Sequence, residues 1–252
     1  MRSKSLIAML AVVVMTIAGS PAAAQSDSTQ ADSDGWKFTI APYLWAAGMD
    51  GTITINRIDA KVDLSFSDVL SDLDFAGMLH FDMQSEHWVV TSDLIYVDLG
   101  ADADVLLGTG LATVTQTLFE VAGGYRVTPI VTVLLGARWV DLDSGLRYMG
   151  QVVEERVDES RSWIDPFVGV HLAVPLAKRW KLGVHGDIGG FGVGSDLAWQ
   201  AYADIGFKAS NVVSIILGYR AIDMDYEHGS GDDLFKYDML ISGPQLGVAF
   251  HF

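Results

Sequence analysis

Cysteine is absent from all 252 residues, which excludes a disulfide framework, a thiolate metal site and a cysteine nucleophile. Exported chains that cross an oxidising compartment tolerate this absence well. Basic residues are scarce: 16 Lys and Arg stand against 32 Asp and Glu, a formal charge of −16. So acidic a chain repels phosphate backbones, and nucleic acid is excluded as a partner. Also missing, once the N-terminal segment is set aside, is any uninterrupted apolar run of about 18 to 20 residues, the length a membrane helix needs. Half of the residues are nevertheless hydrophobic. That apolar content is dispersed along the chain, as it is in the wall of a barrel.

The N-terminus carries Arg2 and Lys4, then a nearly continuous apolar stretch from Leu6 to Ala18, then Ala22-Ala23-Ala24 before Gln25. A short positive region, an apolar region too short to span and a small-residue cleavage site define a secretory signal peptide. Residues 1–24 are therefore expected to be removed. Because the segment holds two bases and no acid, its removal takes the charge from −16 to −18. Residues 25–35 read as a polar, disordered lead-in, and residues 36–252 as one β-rich domain.

From Trp36 onward the pattern has period two, in segments of about 10 to 14 residues, long enough for a tilted strand to cross a membrane. Leu197, Trp199, Ala201, Ala203, Ile205 and Phe207 alternate with Gln200, Tyr202, Asp204 and Lys208. Val213, Ile215, Leu217 and Tyr219 likewise oppose Ser214, Gly218 and Arg220. Period alone does not say which face is inside, since a soluble sandwich alternates too. The polar face is rich in glycine and in charges of both signs, as a narrow lumen requires. Aromatic residues recur near segment ends, at Trp36, Trp88, Trp139, Trp163, Trp180 and Tyr219, as girdles at two membrane surfaces would. Both features put the apolar face toward lipid.

Short connections at residues 84–86, 127–129, 177–178 and 210–211 alternate with longer polar ones near 100–112, 142–161 and 225–236. Short turns belong to the periplasmic side and long loops to the outside. The fold class predicted is an all-β antiparallel transmembrane barrel of about ten strands, with eight or twelve as alternatives. The strands should begin near residues 36, 75, 87, 112, 130, 161, 179, 196, 212 and 236. The alternating stretch 52–62 forms a hairpin, and residues 142–156 extend a strand beyond the membrane. Ser65 can cap a helix whose apolar positions are Phe66, Val69, Leu70 and Leu73, so one short helix is expected near residues 66–73. Packing at the rim is favoured over a plug in the lumen.

These features resemble those of small outer-membrane β-barrel proteins of Gram-negative bacteria. The residues carrying the likeness are the signal peptide, the amphipathic strands and the closing Leu246, Val248, Phe250 and Phe252. Ala41-Pro42-Tyr43-Leu44-Trp45 and Trp163-Ile164-Asp165-Pro166-Phe167 are also similar to segments of a widespread barrel group without an assigned activity. The resemblance implies a bacterial outer-membrane location, with the last four alternate residues as the signal read by the barrel-assembly machinery. It implies periplasmic chaperones and outer-membrane lipid as partners, and no substrate.

His80-Phe81-Asp82 and His185-Gly186-Asp187 form the sharpest chemical pattern, because period two sends both side chains of each motif to one face. A histidine beside a carboxylate can act as a general base. Ten-stranded barrel proteases of the outer membrane place Asp and His at the outer rim, whereas these two motifs sit lower. The favoured reading is a lumenal polar network of His80, Asp82, Asp93, Glu120, Arg138, Asp165, His171, Lys181, His185, Asp187, Asp204 and Arg220, since charges in a narrow interior must be paired or hydrated. Acidic residues in the loops, among them Asp98, Asp102, Asp104, Glu154, Glu155, Asp158, Glu159, Asp223, Asp225, Glu227, Asp232 and Asp233, offer oxygen ligands to divalent cations but lack ordered ligand spacing. No phosphate-binding glycine loop, paired-histidine zinc motif or nucleophile elbow is present. No catalytic residue, cofactor-binding residue, metal ligand or cofactor is assigned. The expected function is a non-enzymatic barrel, structural or a narrow conduit for small solutes. The alternatives are a receptor or adhesin using extended outer hairpins, and a rim-active enzyme.

Overall fold

The computed structural model describes residues 35–55, 58–105, 108–149 and 154–252. The expected signal peptide and nearly all of the lead-in lie outside these residues. Ten antiparallel strands form a closed ring. They are β1 (Lys37–Trp45), β4 (Leu73–Gln84), β5 (Trp88–Val105), β6 (Gly108–Thr128), β7 (Val131–Met149), β8 (Glu154–Ala177), β9 (Trp180–Gly190), β10 (Leu197–Lys208), β11 (Val213–His228) and β12 (Phe235–His251). Each pairs with the next, and β12 returns to β1 through Thr39↔His251 to Trp45↔Gln245. Closure leaves the ring with no end strand, which a lipid environment demands because unpaired backbone groups there find no water.

β2 (Gly48–Ile55) and β3 (Ile58–Leu64) form the expected hairpin, outside the ring. β2 continues β1 along β12, from Gly48↔Ser242 to Ile55↔Phe235, so the two are one run broken at Ala46 and Ala47. The break needs Gly243 on β12, where a Cβ would lie 2.1 Å from the carbonyl oxygen of Ala46. β7 and β8 pair continuously out to Met149↔Glu154, so residues 142–149 and 154–156 are extensions of ring strands, as their alternation predicts.

Three of the four short connections at the end holding β1's start and β12's close are built on a hydroxyl. Ser85 Oγ accepts from the Trp88 N–H, Thr128 Oγ1 from Ile130 and Val131, and Ser210 Oγ from Val212 and Val213. Serine and threonine favour turns for this reason. The helix α1 (Phe66–Ser71) starts at Ser65, whose side chain accepts from the Asp68 N–H while Asp68 returns a bond to the Ser65 N–H. This reciprocal cap explains a helix in an otherwise β chain. It buries none of its residues and does not enter the lumen.

On β12, Leu246 and Val248 face outward while Gly247 and Ala249 are buried, as parity from the C-terminus predicts. Trp36, Trp88 and Trp180 ring the inner end, and Trp139 and Tyr219 stand higher; all are exposed. Trp163 departs from the expectation. It points inward, is 6 % exposed and stacks on Tyr226 with centroids 4.1 Å apart. Its neighbour Ile164 takes the lipid-facing position instead.

A larger correction concerns the lumen, which the sequence reading makes polar along its whole height. On β11 the inward residues run Ser214, Ile216, Gly218, Arg220 and then Ile222, Met224, Tyr226, while the outward ones run Ile215, Leu217, Tyr219 and then Asp223, Asp225, Glu227. β7 repeats this reversal: Val140 and Leu142 follow Arg138 inside, and Asp141 and Asp143 follow Trp139 outside. The inner part is a membrane barrel with a polar interior. The outer part is a water-facing barrel around an apolar core, as expected for strands too long for the bilayer.

Candidate functional site

The lumen has three levels. The outer one is filled by a single cluster that includes Val140, Ile222, Met224, Tyr237 and Met239, all with 0 % exposure, together with Trp45, Trp163 and Phe235. These side chains come from β1, β7, β8, β11 and β12, so the cluster crosses the barrel from wall to wall. Below it lies a belt of ion pairs, and below the belt a vestibule opens toward the inner end.

The belt is set by strand register. His80, Asp93, Glu120, Arg138 and Asp165 are successive cross-strand neighbours on β4 to β8, all on the inner face. Arg138 donates from Nε to Glu120 and from Nη2 to Asp187 at 3.0 Å. Arg220 donates to Asp93 at 3.1 Å, to the Tyr43 hydroxyl at 2.9 Å and to the Gln200 side-chain oxygen. Gln200 in turn donates to Asp187 at 3.0 Å and to Glu120 at 3.2 Å. His185 stands 2.8 Å from Asp187, and His80 bridges Asp93 at 3.0 Å and Asp82 at 3.2 Å. The remaining Arg138 nitrogen has no hydrogen-bond partner among the described residues, and the guanidinium lies 5.4 Å from the centre of the Phe167 ring. Aromatic faces attract such cations.

Eight of the twelve residues expected in the network are thus brought together: His80, Asp82, Asp93, Glu120, Arg138, His185, Asp187 and Arg220. Asp165 stands apart despite its register. It accepts from the backbone N–H of Ser195 at 2.6 Å, from the Ser195 hydroxyl at 2.8 Å and from the Trp163 indole at 3.2 Å. These bonds anchor the loop after β9, in which Gly190 and Phe191 take φ of 84° and 53°. Left-handed backbone at a bulky residue such as Phe191 needs that kind of support. His171, Lys181 and Asp204 line the vestibule below the belt. Tyr43 and Gln200 are the members that charge-based reading misses, although parity alone puts both on the inner face.

The vestibule has a volume of about 1120 Å³ and is lined by apolar Leu134 and Phe167 as well as by His171, Tyr202 and Asp204. Lys37, Arg126, Lys178, Arg179 and Lys208 lie around its mouth. Outside the membrane the opposite end is acidic. Asp225 lies directly across from Asp238, and burial, then the charges of Asp238 and Asp196, raise its pKa above the ordinary carboxylate value. Lys236 is held above its usual value by its hydrogen bond to Glu227. Among the described residues no group of three or more histidines and carboxylates is arranged to hold a metal ion. The side chains of Asp102, Asp104, Glu154, Glu155, Asp158 and Asp232 lie outside the described residues.

No protein-family model and no curated protein matches the chain. Solved structures with the same kind of fold are outer-membrane barrels. The outer membrane protease OmpT from Escherichia coli is 8 % identical, covering 89 % of this chain and 99 % of its own, with a TM-score of 0.48. The attachment invasion locus protein Ail of Yersinia pestis is 12 % identical, with coverages of 86 % and 99 % and a TM-score of 0.38. The translocator domain of the autotransporter NalP from Neisseria meningitidis is 14 % identical, with coverages of 88 % and 90 % and a TM-score of 0.43. The closed ten-stranded ring, its lipid-facing band and its aromatic girdles are those of a small outer-membrane β-barrel.

Proposed function

We propose that this protein is a non-enzymatic outer-membrane barrel closed toward the outside, with a structural or ligand-holding role. The observation that carries this reading is the wall-to-wall apolar cluster above the ion belt, with six side chains fully buried. A conduit for polar solutes needs a hydrated path, and a core of this kind excludes water. The cluster therefore weighs against the narrow conduit that strand count alone leaves open. It also weighs against a rim-active hydrolase, since both His-x-Asp motifs lie beneath the cluster and have no route to the outer surface. In planar bilayers the inserted protein should be silent. Regular conductance steps would overturn the proposal.

A receptor or adhesin role is the second reading, and one observation favours it. The outer part is a folded, water-facing barrel with its own core, so it can present a fixed surface rather than loose loops. Removing residues 49–64 should then leave insertion intact and abolish attachment to a surface or soluble ligand.

A further inference from the structure

Neighbouring strands elsewhere in the ring pair across the lipid-facing band, but β1 and β4 separate partway up. Their pairing runs from Lys37↔Gln84 to Pro42↔Leu79 and ends there. β1 continues to Trp45 along β12, and β4 reaches up to Leu73 along β5. Pro42 has no N–H to donate to a ladder. Beyond it the chain follows β12 through β2 and β3, so the upper part of β4 has a strand partner on one side only. Across the parted edges the Trp45 N–H reaches the sulfur of Met78 at 3.1 Å. A thioether is a weak acceptor on a flexible side chain. Directly behind it lies the apolar core, against which Met78, Met49 and Val97 pack.

The outer surface at this place is unusually apolar. Leu44, Phe75 and Leu79 are exposed beside the gap, and α1 adds exposed Phe66 and Leu70 above them. At the corresponding height other strands face outward with Asp98, Thr115 and Asp143. The apolar surface therefore climbs above the lipid-facing band along this seam. We propose that the seam between β1 and β4 binds one acyl chain of an outer-leaflet lipid, held by Leu44, Phe66, Leu70, Phe75, Met78 and Leu79. Continuity names the occupant, because exposed Leu44 and Leu79 prolong the lipid-facing band upward into the seam, a path that a hydrocarbon chain of the outer leaflet can follow. Met78 can change rotamer to admit a chain end without disturbing the paired backbone. The proposal rests on the outer-membrane reading of the barrel.

The full chain is reconstituted into vesicles of phosphatidylethanolamine and lipid A, extracted in mild detergent and weighed by native mass spectrometry. One retained lipid per barrel is expected, and its mass tells which of the two supplies the chain. Phe75→Ser and Leu70→Ser, both at exposed positions, should lower occupancy about tenfold or more, the scale of losing one buried apolar side chain. Leu135→Ser on the lipid-facing surface of β7 should leave occupancy unchanged. A wild-type barrel that retains no lipid, or a Leu135→Ser barrel that loses it equally, overturns the proposal. Heat-modifiable gel mobility reports insertion separately: a chain that never inserts overturns the membrane reading, and the seam site with it.

Discussion

Above and below Arg220 the same alternation of side chains serves opposite ends. On β11 the residues facing lipid below it are Ile215, Leu217 and Tyr219, and those facing water above it are Asp223, Asp225 and Glu227. Inside, Ser214 and Ile216 border the vestibule, whereas Ile222 and Met224 are fully buried. Each wall puts its apolar face against whatever is not water. Below Arg220 that is the bilayer, and above it the interior. The ion belt marks the plane where the two solutions meet, and it is there that charge is most deeply enclosed.

The contrast yields three tests, of decreasing expected size. Arg138 is wholly buried and pairs with both Glu120 and Asp187, so Arg138→Met takes the shared cation from two carboxylates and leaves Glu120 to Arg220 and Gln200, and Asp187 to His185 and Gln200. A loss of about 3–5 kcal/mol is expected from equilibrium unfolding in urea, as for breaking a buried pair. A loss near zero would mean that water reaches the belt and that the two halves are not divided there. Next, Met239→Ala in the outer core should cost about 2–5 kcal/mol through the cavity it leaves, whereas Thr132→Ala in the vestibule should cost less than about 1 kcal/mol. Equal losses at the two sites would erase the distinction between core and vestibule.

The smallest effect concerns the acidic outer surface. Because the pKa of Asp225 is raised in the folded state, its contribution favours the fold below the ordinary carboxylate range and is lost as pH rises through the raised value. Thermal stability of the outer part should therefore improve as pH falls from about 7 to about 4, the range where carboxylates take up protons. Asp238→Asn removes the opposing charge, so the variant should gain less on acidification and start higher at neutral pH. The difference should stay below about 1 kcal/mol, because the pair is largely in water. A steeper acid gain in the variant than in the parent would contradict this assignment.

Strand number, order and eight of the ten starting points to within two residues were legible, because hydrophobic period and turn residues are local properties of the chain; β6 and β8 begin earlier than expected, at Gly108 and Glu154, because their outer ends run past the lipid-facing alternation. The hairpin at 52–62 and the helix after Ser65 were legible for the same reason. The inner face of the belt was legible as well: parity places His80, Asp93, Glu120, Arg138, Asp187 and Arg220 on one side of their strands. What parity does not carry is height. The sequence reading therefore grouped Asp165 with the ion pairs, although it holds the loop at Ser195. Trp163 was likewise given to a girdle, although it belongs to the core. Tyr43 and Gln200 complete the belt by hydrogen bonds, for which a search by charge has no signal.

By itself, the sequence determined a closed antiparallel barrel of about ten strands and, in its lipid-facing part, which side chains share an inward face, since alternation and turn chemistry act between near neighbours. Only the tertiary structure decided where lipid gives way to water along each strand. It also decided that the outer lumen is filled and that β1 and β4 part above Pro42. Those outcomes depend on which residues from distant strands share one height, and registers between strands set that height.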